Sequence, residues 1–273
     1  MKLGGMRSSS NVQDRRGSRG GRVALSGGAI VVVLVVSVVT GINPLTLLGQ
    51  LSGGAPTTSQ SSQAPAKDDA AALFVSQVLA TTEDTWNKLL PGYREPKLVL
   101  FRDSVDSACG FASAAVGPFY CPADEKAYLD LTFFDDLSRR FGAPGDFAAA
   151  YVIAHEVGHH VQKIDGTNAR VQLSNDRSGA TSKGVRLELQ ADCYAGVWAH
   201  DAQKRGLLEA GDVDEALRAA QQIGDDTMQS RGRGRVTPDS FTHGSAAQRS
   251  RWFKAGLASG DPKSCDTFNA ANL

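Results

Sequence analysis

Two histidines four residues apart, His155 and His159, with Glu156 directly after the first, constrain this chain more than any other stretch. The lead-in Ala148-Ala149-Ala150-Tyr151-Val152-Ile153-Ala154 is apolar and free of Pro, so it reads as a mostly buried helix. Residues four apart share one helix face, so His155 and His159 can turn two imidazole nitrogens toward one metal ion. Glu156 can then reach a water bound to that metal. Spacing of the form H-E-x-x-H supplies two zinc ligands and a general base. An ordinary amphipathic helix could carry the same His pair, so a third ligand decides the matter.

Glu188 supplies that ligand. Glu188-Leu189-Gln190-Ala191-Asp192 begins a second expected helix and again sets two acids four apart. A His, His, Glu set leaves the fourth position to water, which is the catalytic rather than the structural zinc pattern. Asp192, one turn on, is suited to accept the second ring N–H of a ligand His and fix its tautomer. The chain has five His, and three fall between 155 and 160, which is hard to attribute to chance. His160 points about 100° round the helix from His159, so a surface or supporting place fits it better than coordination. His200 reads as a polar surface residue.

Charge divides the chain although its net value is zero. Residues 1–22 hold Lys2, Arg7, Arg15, Arg16, Arg19 and Arg22 against Asp14 alone, a net of +5. This basic, Gly- and Ser-rich start predicts a disordered cytoplasmic tail over 1–22. Its Arg-Gly content could suit RNA, but the next stretch favours positive-inside anchoring and no nucleic-acid partner. Val23 to Ile42 is uncharged and apolar, with only Ser26, Ser37 and Thr40 polar, which predicts a single transmembrane helix over 23–42. A cleaved signal peptide is the competing reading; the long basic region and the lack of an A-x-A-like site argue against it. Residues 43–69, rich in Ser, Pro and Gln, form a low-complexity linker to a domain over 70–273 outside the membrane.

Within that domain the pattern predicts a helix over 70–90, ended by Pro91-Gly92, and a strand over 97–102. Residues 103–122 read as a Gly- and Ser-rich loop. A second strand over 127–134 passes into a short helix near 135–141. The metal helix follows with Asp146 as candidate N-cap, then a loop over 168–182 and the second metal helix over 183–208. Asp212 caps a helix through Ile223, with Glu215 at the capping-box position. A basic loop over 230–235 and a last helix over 245–258 complete the chain. Four Cys outside the membrane suggest two disulfides, with three connectivities open; Cys109 with Cys121 and Cys193 with Cys265 are one of them.

Taken together, these residues resemble the bacterial "putative neutral zinc metallopeptidase" family of membrane-anchored proteins. The matching pieces are Ser10-Asn11-Val12-Gln13-Asp14-Arg15-Arg16-Gly17 and Gly117-Pro118-Phe119-Tyr120-Cys121-Pro122. They continue with Ala154 to Gln162 around the His pair, Glu188 to Gly196, and Thr242-His243-Gly244-Ser245. More distantly the chain is similar to gluzincin peptidases, which share H-E-x-x-H with a later E-x-x-A-D. Many of those carry a Thr-His pair followed six residues later by Arg, here Thr242-His243 and Arg249, although Gly244 stands where they usually have Pro.

The resemblance implies an α+β, zincin-like metallopeptidase ectodomain with a two-helix metal site, in the bacterial cell membrane with its catalytic domain extracytoplasmic. It implies one Zn2+ per chain on His155, His159 and Glu188, with Glu156 as general base in hydrolysis of a protein or peptide. His243 would stabilise the oxyanion, against a helix-capping or surface role for the same residue. By analogy with zincins, the strand from Tyr128 to Phe133 would be the edge on which an extended substrate pairs. A non-catalytic zinc-bearing binding domain is the rival expectation, and it has no need of Glu156.

Overall fold

The computed structural model describes residues 1–17 and 69–273. The expected transmembrane helix over 23–42 and the linker up to residue 68 lie outside the described residues. Among the described residues, no helix is long and apolar enough to cross a membrane.

The expected disorder of the N-terminus is corrected for its first fifteen residues, which belong to the same compact unit as the C-terminal domain. Strand β1 (Val12–Asp14) pairs in parallel with β2 (Lys97–Phe101), Val12 facing Leu98 in register. Met1, Leu3 and Val12 are buried in the main core. The main-chain amine of Met1 lies 2.8 Å from Asp146, 3.1 Å from Glu209 and 3.4 Å from Asp212. Three apolar residues and a set of ion pairs therefore order a segment whose composition reads as solvated.

Helix α1 (Ala70–Leu89) begins at Asp69, whose side chain accepts from the Ala72 N–H. It is buried on more than one face: Thr81, Thr82 and Thr85 return their hydroxyls to carbonyls three or four residues back, which satisfies them inside the core. Among the described residues, β5 (Phe119–Cys121) and β6 (Lys126–Asp130) join β1 and β2 in one four-stranded sheet of order β1-β2-β6-β5. Strand β6 runs parallel to β2, and β5 runs antiparallel to β6. Alternation along β2 explains its burial on both faces. Leu98 and Leu100 enter the main core, while Val99 and Phe101 enter a smaller one with Val105, Cys121 and Tyr128.

The stretch expected as a loop over 103–122 holds β5 and a hairpin of β3 (Ser104–Ser107) and β4 (Gly110–Ser113). Since β5 lies outside β6, the strand starting near Tyr128 is central, and the expectation that it forms the substrate edge is corrected. It also ends early. Asp130 accepts from the Thr132 N–H and hydroxyl, and α2 (Thr132–Arg139) starts there rather than at residue 135.

Helix α3 (Asp146–Ile164) carries the H-E-x-x-H stretch. Its N-cap is Gly145, not Asp146. Glu215, expected in a local capping box, instead accepts from the Phe147 N–H at 3.0 Å, capping α3 from α6 (Asp212–Gln222). A short α4 (Thr167–Gln172) replaces the start of the expected loop, and α5 (Lys183–Lys204) begins at Ser182, which accepts from the Val185 N–H. The expected basic loop is partly helix: α7 (Asp225–Arg233) runs into it and stops at Gly234.

Helix α8 (Ala246–Ser259) starts in a capping box between Ser245 and Gln248. It lies against α5 so closely that a Cβ on Gly256 would clash with the Cys193 carbonyl oxygen. The two disulfides are Cys109–Cys121 and Cys193–Cys265. The first holds the end of β5 to the β3–β4 turn, and the second ties α5 to the C-terminal segment. His200, expected at the surface, is half-buried and its Nδ1 donates to the Leu257 carbonyl oxygen at 2.7 Å.

Candidate metal centre

Helices α3 and α5 pack face to face where Gly158 meets Ala191; a Cβ on Gly158 would lie 3.0 Å from the Ala191 carbonyl oxygen. This close approach brings the acids of α5 to the His pair of α3. One ligand atom from each of His155, His159 and Glu188 falls within 4.8 Å of the others. His155 Nε2 lies 3.3 Å from Glu188 Oε2, and His159 Nε2 lies 3.5 Å from Glu188 Oε1. Tetrahedral zinc with bonds of about 2.0–2.1 Å keeps neighbouring ligand atoms about 3.3–3.4 Å apart; each His–Glu distance is close to that, one on each oxygen of Glu188, and the donor types suit the ion.

Each imidazole is oriented through its other nitrogen. His155 Nδ1 lies 2.9 Å from Asp192 Oδ1, and His159 Nδ1 lies 2.8 Å from Gln162 Oε1. Gln162 is itself fixed, donating to the Leu187 carbonyl oxygen at 2.7 Å and to Gln190 Oε1 at 3.0 Å. Carboxylate and amide acceptors of this kind leave both Nε2 atoms facing the ion position.

Asp192 is wholly buried and held by more than His155. Arg249, on α8, donates from Nε to Asp192 Oδ2 at 2.8 Å and from Nη2 to Oδ1 at 2.9 Å. Tyr151 donates its hydroxyl to the same carboxylate and accepts from Arg249 Nη2 at 3.1 Å. Burial alone would raise Asp192, but Arg249 and His155 outweigh it and hold it down to about 2. Burial likewise opposes ionisation of Glu188, and His159 and His155 overcome it, holding the carboxyl well below its usual range. Burial lowers His155, yet Asp192 and Glu188 push it up to about 10. Two ionised acids that draw protons onto their imidazoles mark a site that favours a cation.

Glu156 is not one of this ligand set. It is buried and lines the same cleft, and burial raises its carboxyl above the ordinary value. The cleft, of about 870 Å³, is lined by Val116, Phe119, Tyr120, Leu187, Met228 and His243 among others. His243 sits half-exposed at its rim. Asp225 accepts from the His243 main-chain N–H at 2.7 Å and lies 3.4 Å from Nδ1, while Thr242 Oγ1 lies 2.9 Å from Nδ1. The bond to Asp225 raises the ring's pKa and favours its protonated form.

His160 is buried rather than at the surface. Its Nδ1 lies 2.9 Å from the Tyr120 hydroxyl and its Nε2 donates to the Arg94 carbonyl oxygen at 2.5 Å, tying β5 to α3. His160 takes the supporting one of its two expected places, while the parts played by Gln162 and Tyr151 escape sequence reasoning. The available signal was positional: Tyr151 lies four residues before His155 and Gln162 three after His159, on neighbouring helix faces.

The family described as "Putative neutral zinc metallopeptidase" matches residues 1–268. The chain is 48% identical over 284 residues to the "Uncharacterized protein YpfJ" of Escherichia coli (strain K12), covering 98% of this chain and 99% of that protein. It is 48% identical over 219 residues to the "Uncharacterized protein Rv2575" of Mycobacterium tuberculosis (strain ATCC 25618 / H37Rv), covering 75% of this chain and 74% of that one. No solved structure matches.

Proposed function

Because the chain belongs to the neutral zinc metallopeptidase family, we propose that it hydrolyses peptide bonds, with one zinc ion held by His155, His159 and Glu188. Bound there, zinc would supply Lewis-acid polarisation of the scissile carbonyl and acidify a water. Glu156 takes the water's proton as attack proceeds and passes it to the leaving amine. The observation that carries this reading is the place of Glu156: a buried carboxylate on the wall of an open cleft, adjoining the ligand set without belonging to it. Burial raises its proton affinity, which suits a group that must accept a proton. A protein that only bound zinc would gain nothing from that carboxylate.

Asp192 and Gln162 keep the two imidazoles in one tautomer, and Arg249 with Tyr151 keeps Asp192 ionised in place. His243, held by Asp225, donates to the oxygen that gains charge in the tetrahedral intermediate. Strand β5 takes the part assigned from sequence to the central strand. Among the described residues no strand pairs with its outer side, and Phe119 and Tyr120 line the cleft, so an extended peptide adds there.

The domain works outside the cytoplasm at the bacterial membrane. Two disulfides support that placement, since such bonds persist in oxidising compartments. The direct assay is cleavage of an unfolded, fluorescently quenched protein by the purified full chain. Chelation should abolish the signal and added zinc restore it; cleavage untouched by chelator would defeat the zinc assignment.

A further inference from the structure

Residues 1–15 are joined to the domain through main chain, core and charge together. The Ser9 N–H donates to the Ser76 carbonyl oxygen at 3.1 Å, Leu98 N–H to Asn11 at 3.0 Å and Arg15 N–H to Leu100 at 2.8 Å. Leu3 and Val12 are buried beside Val75 and Leu98 in the main core. The decisive group is Glu83 on α1, whose side chain is 1% exposed. Its donors among the described residues are all in the N-terminal arm: the Ser9 hydroxyl, Asn11 Nδ2 at 2.9 Å and Arg7 Nη1 at 2.9 Å. Arg7 also reaches Asp84 and the Ala80 carbonyl oxygen. The arm thus supplies the donors of this buried carboxylate and covers the edge of β2, two features that are costly to leave unpaired.

A helix that crosses a bilayer once puts its two ends on opposite faces, about 30 Å of hydrocarbon apart. Hydrogen bonds of 2.8–3.1 Å between the arm and the domain cannot span that distance. The apolar run Val23 to Ile42 lies between the two, and it is long and uncharged enough to enter lipid. We propose that the arm and the domain lie on the same face of the membrane. The N-terminus is then not a cytoplasmic tail. The basic residues Arg15, Arg16, Arg19 and Arg22 stand just before the apolar run, where anionic headgroups attract Lys and Arg. This inference does not depend on the peptidase reading.

Cysteine labelling of the full chain in intact bacteria tests it. All four native Cys are in disulfides, so a single new thiol reports its own surroundings. Ser8 in the arm and Lys254 on α8 are both exposed, and Ser8→Cys and Lys254→Cys would be treated with a membrane-impermeant maleimide before and after permeabilisation. The expected result is the same before-to-after ratio in the two variants, within about two-fold. Labelling of Lys254→Cys in intact cells with Ser8→Cys reached only after permeabilisation would overturn the proposal. Protection of both in intact cells would keep the shared face and defeat the extracytoplasmic placement instead. Recovery of the full chain in the soluble fraction would overturn the membrane part.

Discussion

His155 Nδ1 and Asp192 Oδ1 stand 2.9 Å apart, and that bond decides which imidazole nitrogen faces Glu188. Asp192 is ionised, so it accepts and His155 donates. A bound zinc ion would displace the remaining proton and take the lone pair of Nε2, which faces Glu188. Replacing Asp192 by Asn removes the charge that favours this tautomer. Asp192→Asn should bind zinc about 10- to 100-fold more weakly, as loss of such a partner usually does. Competition with a chromophoric chelator measures this, with circular dichroism as the check on folding. Unchanged affinity in a folded variant would remove Asp192 from the site.

Close packing of the two metal helices rests on Gly158. A methyl there would press on the Ala191 carbonyl oxygen at 3.0 Å and Cα at 3.1 Å, main-chain atoms that cannot rotate away. Overpacking costs about 1–3 kcal/mol, while Ala gains about 1 kcal/mol over Gly in helix propensity. Gly158→Ala should therefore be less stable by up to about 2 kcal/mol, and zinc binding should weaken as the helices part. A melting temperature equal to or above the native one would contradict that packing.

The H-E-x-x-H stretch and Glu188 could be read from sequence because each is a local spacing on one helix face. What those spacings could not show is how α3 meets α5, since contact at Gly158 and Ala191 depends on two helices far apart in the chain. Arg249 shows the same limit: it reaches Asp192 only because α8 lies against α5 at Gly256. The arm was misread for a different reason. Its Gly, Ser and Arg content is that of a solvated tail, and its partners, among them the buried Glu83 and the edge of β2, lie far along the chain. Strand β5 is three residues long, too short for alternation to register.

Asp201 joins α1 to α5. It accepts from Thr85 at 3.0 Å and Lys88 at 3.1 Å, and Arg205 lies 3.6 Å away. Burial alone would raise its carboxyl, but Lys88, Thr85 and Arg205 outweigh it and lower the folded-state pKa. A depressed acid stabilises the fold above its unfolded value of about 3.9 and loses that contribution as pH falls through the folded value. Thermal melts of the native chain and Asp201→Asn should differ at pH 6 and converge as pH drops below 4. A constant gap across that range would show that the charge of Asp201 is not what matters.

Closing a loop with a separation of 72 residues, the Cys193–Cys265 bond should contribute more than the Cys109–Cys121 bond, with its separation of 12. The chain-entropy estimate is about 4 kcal/mol for the first and about 3 kcal/mol for the second. Pairwise Ser replacement and denaturant melts give the two values. A larger loss from the shorter loop would mean that the hairpin and β5 depend on their bridge more than chain entropy requires.

If Glu156 moves the proton and does not hold the metal, zinc content and cleavage of an unfolded substrate should part company between the native full chain and Glu156→Gln. The expected result is one zinc per chain in both and a loss of at least about 100-fold in cleavage for the variant, the low end for removing a general base. Equal cleavage by the two proteins, or loss of zinc from the variant, would contradict it.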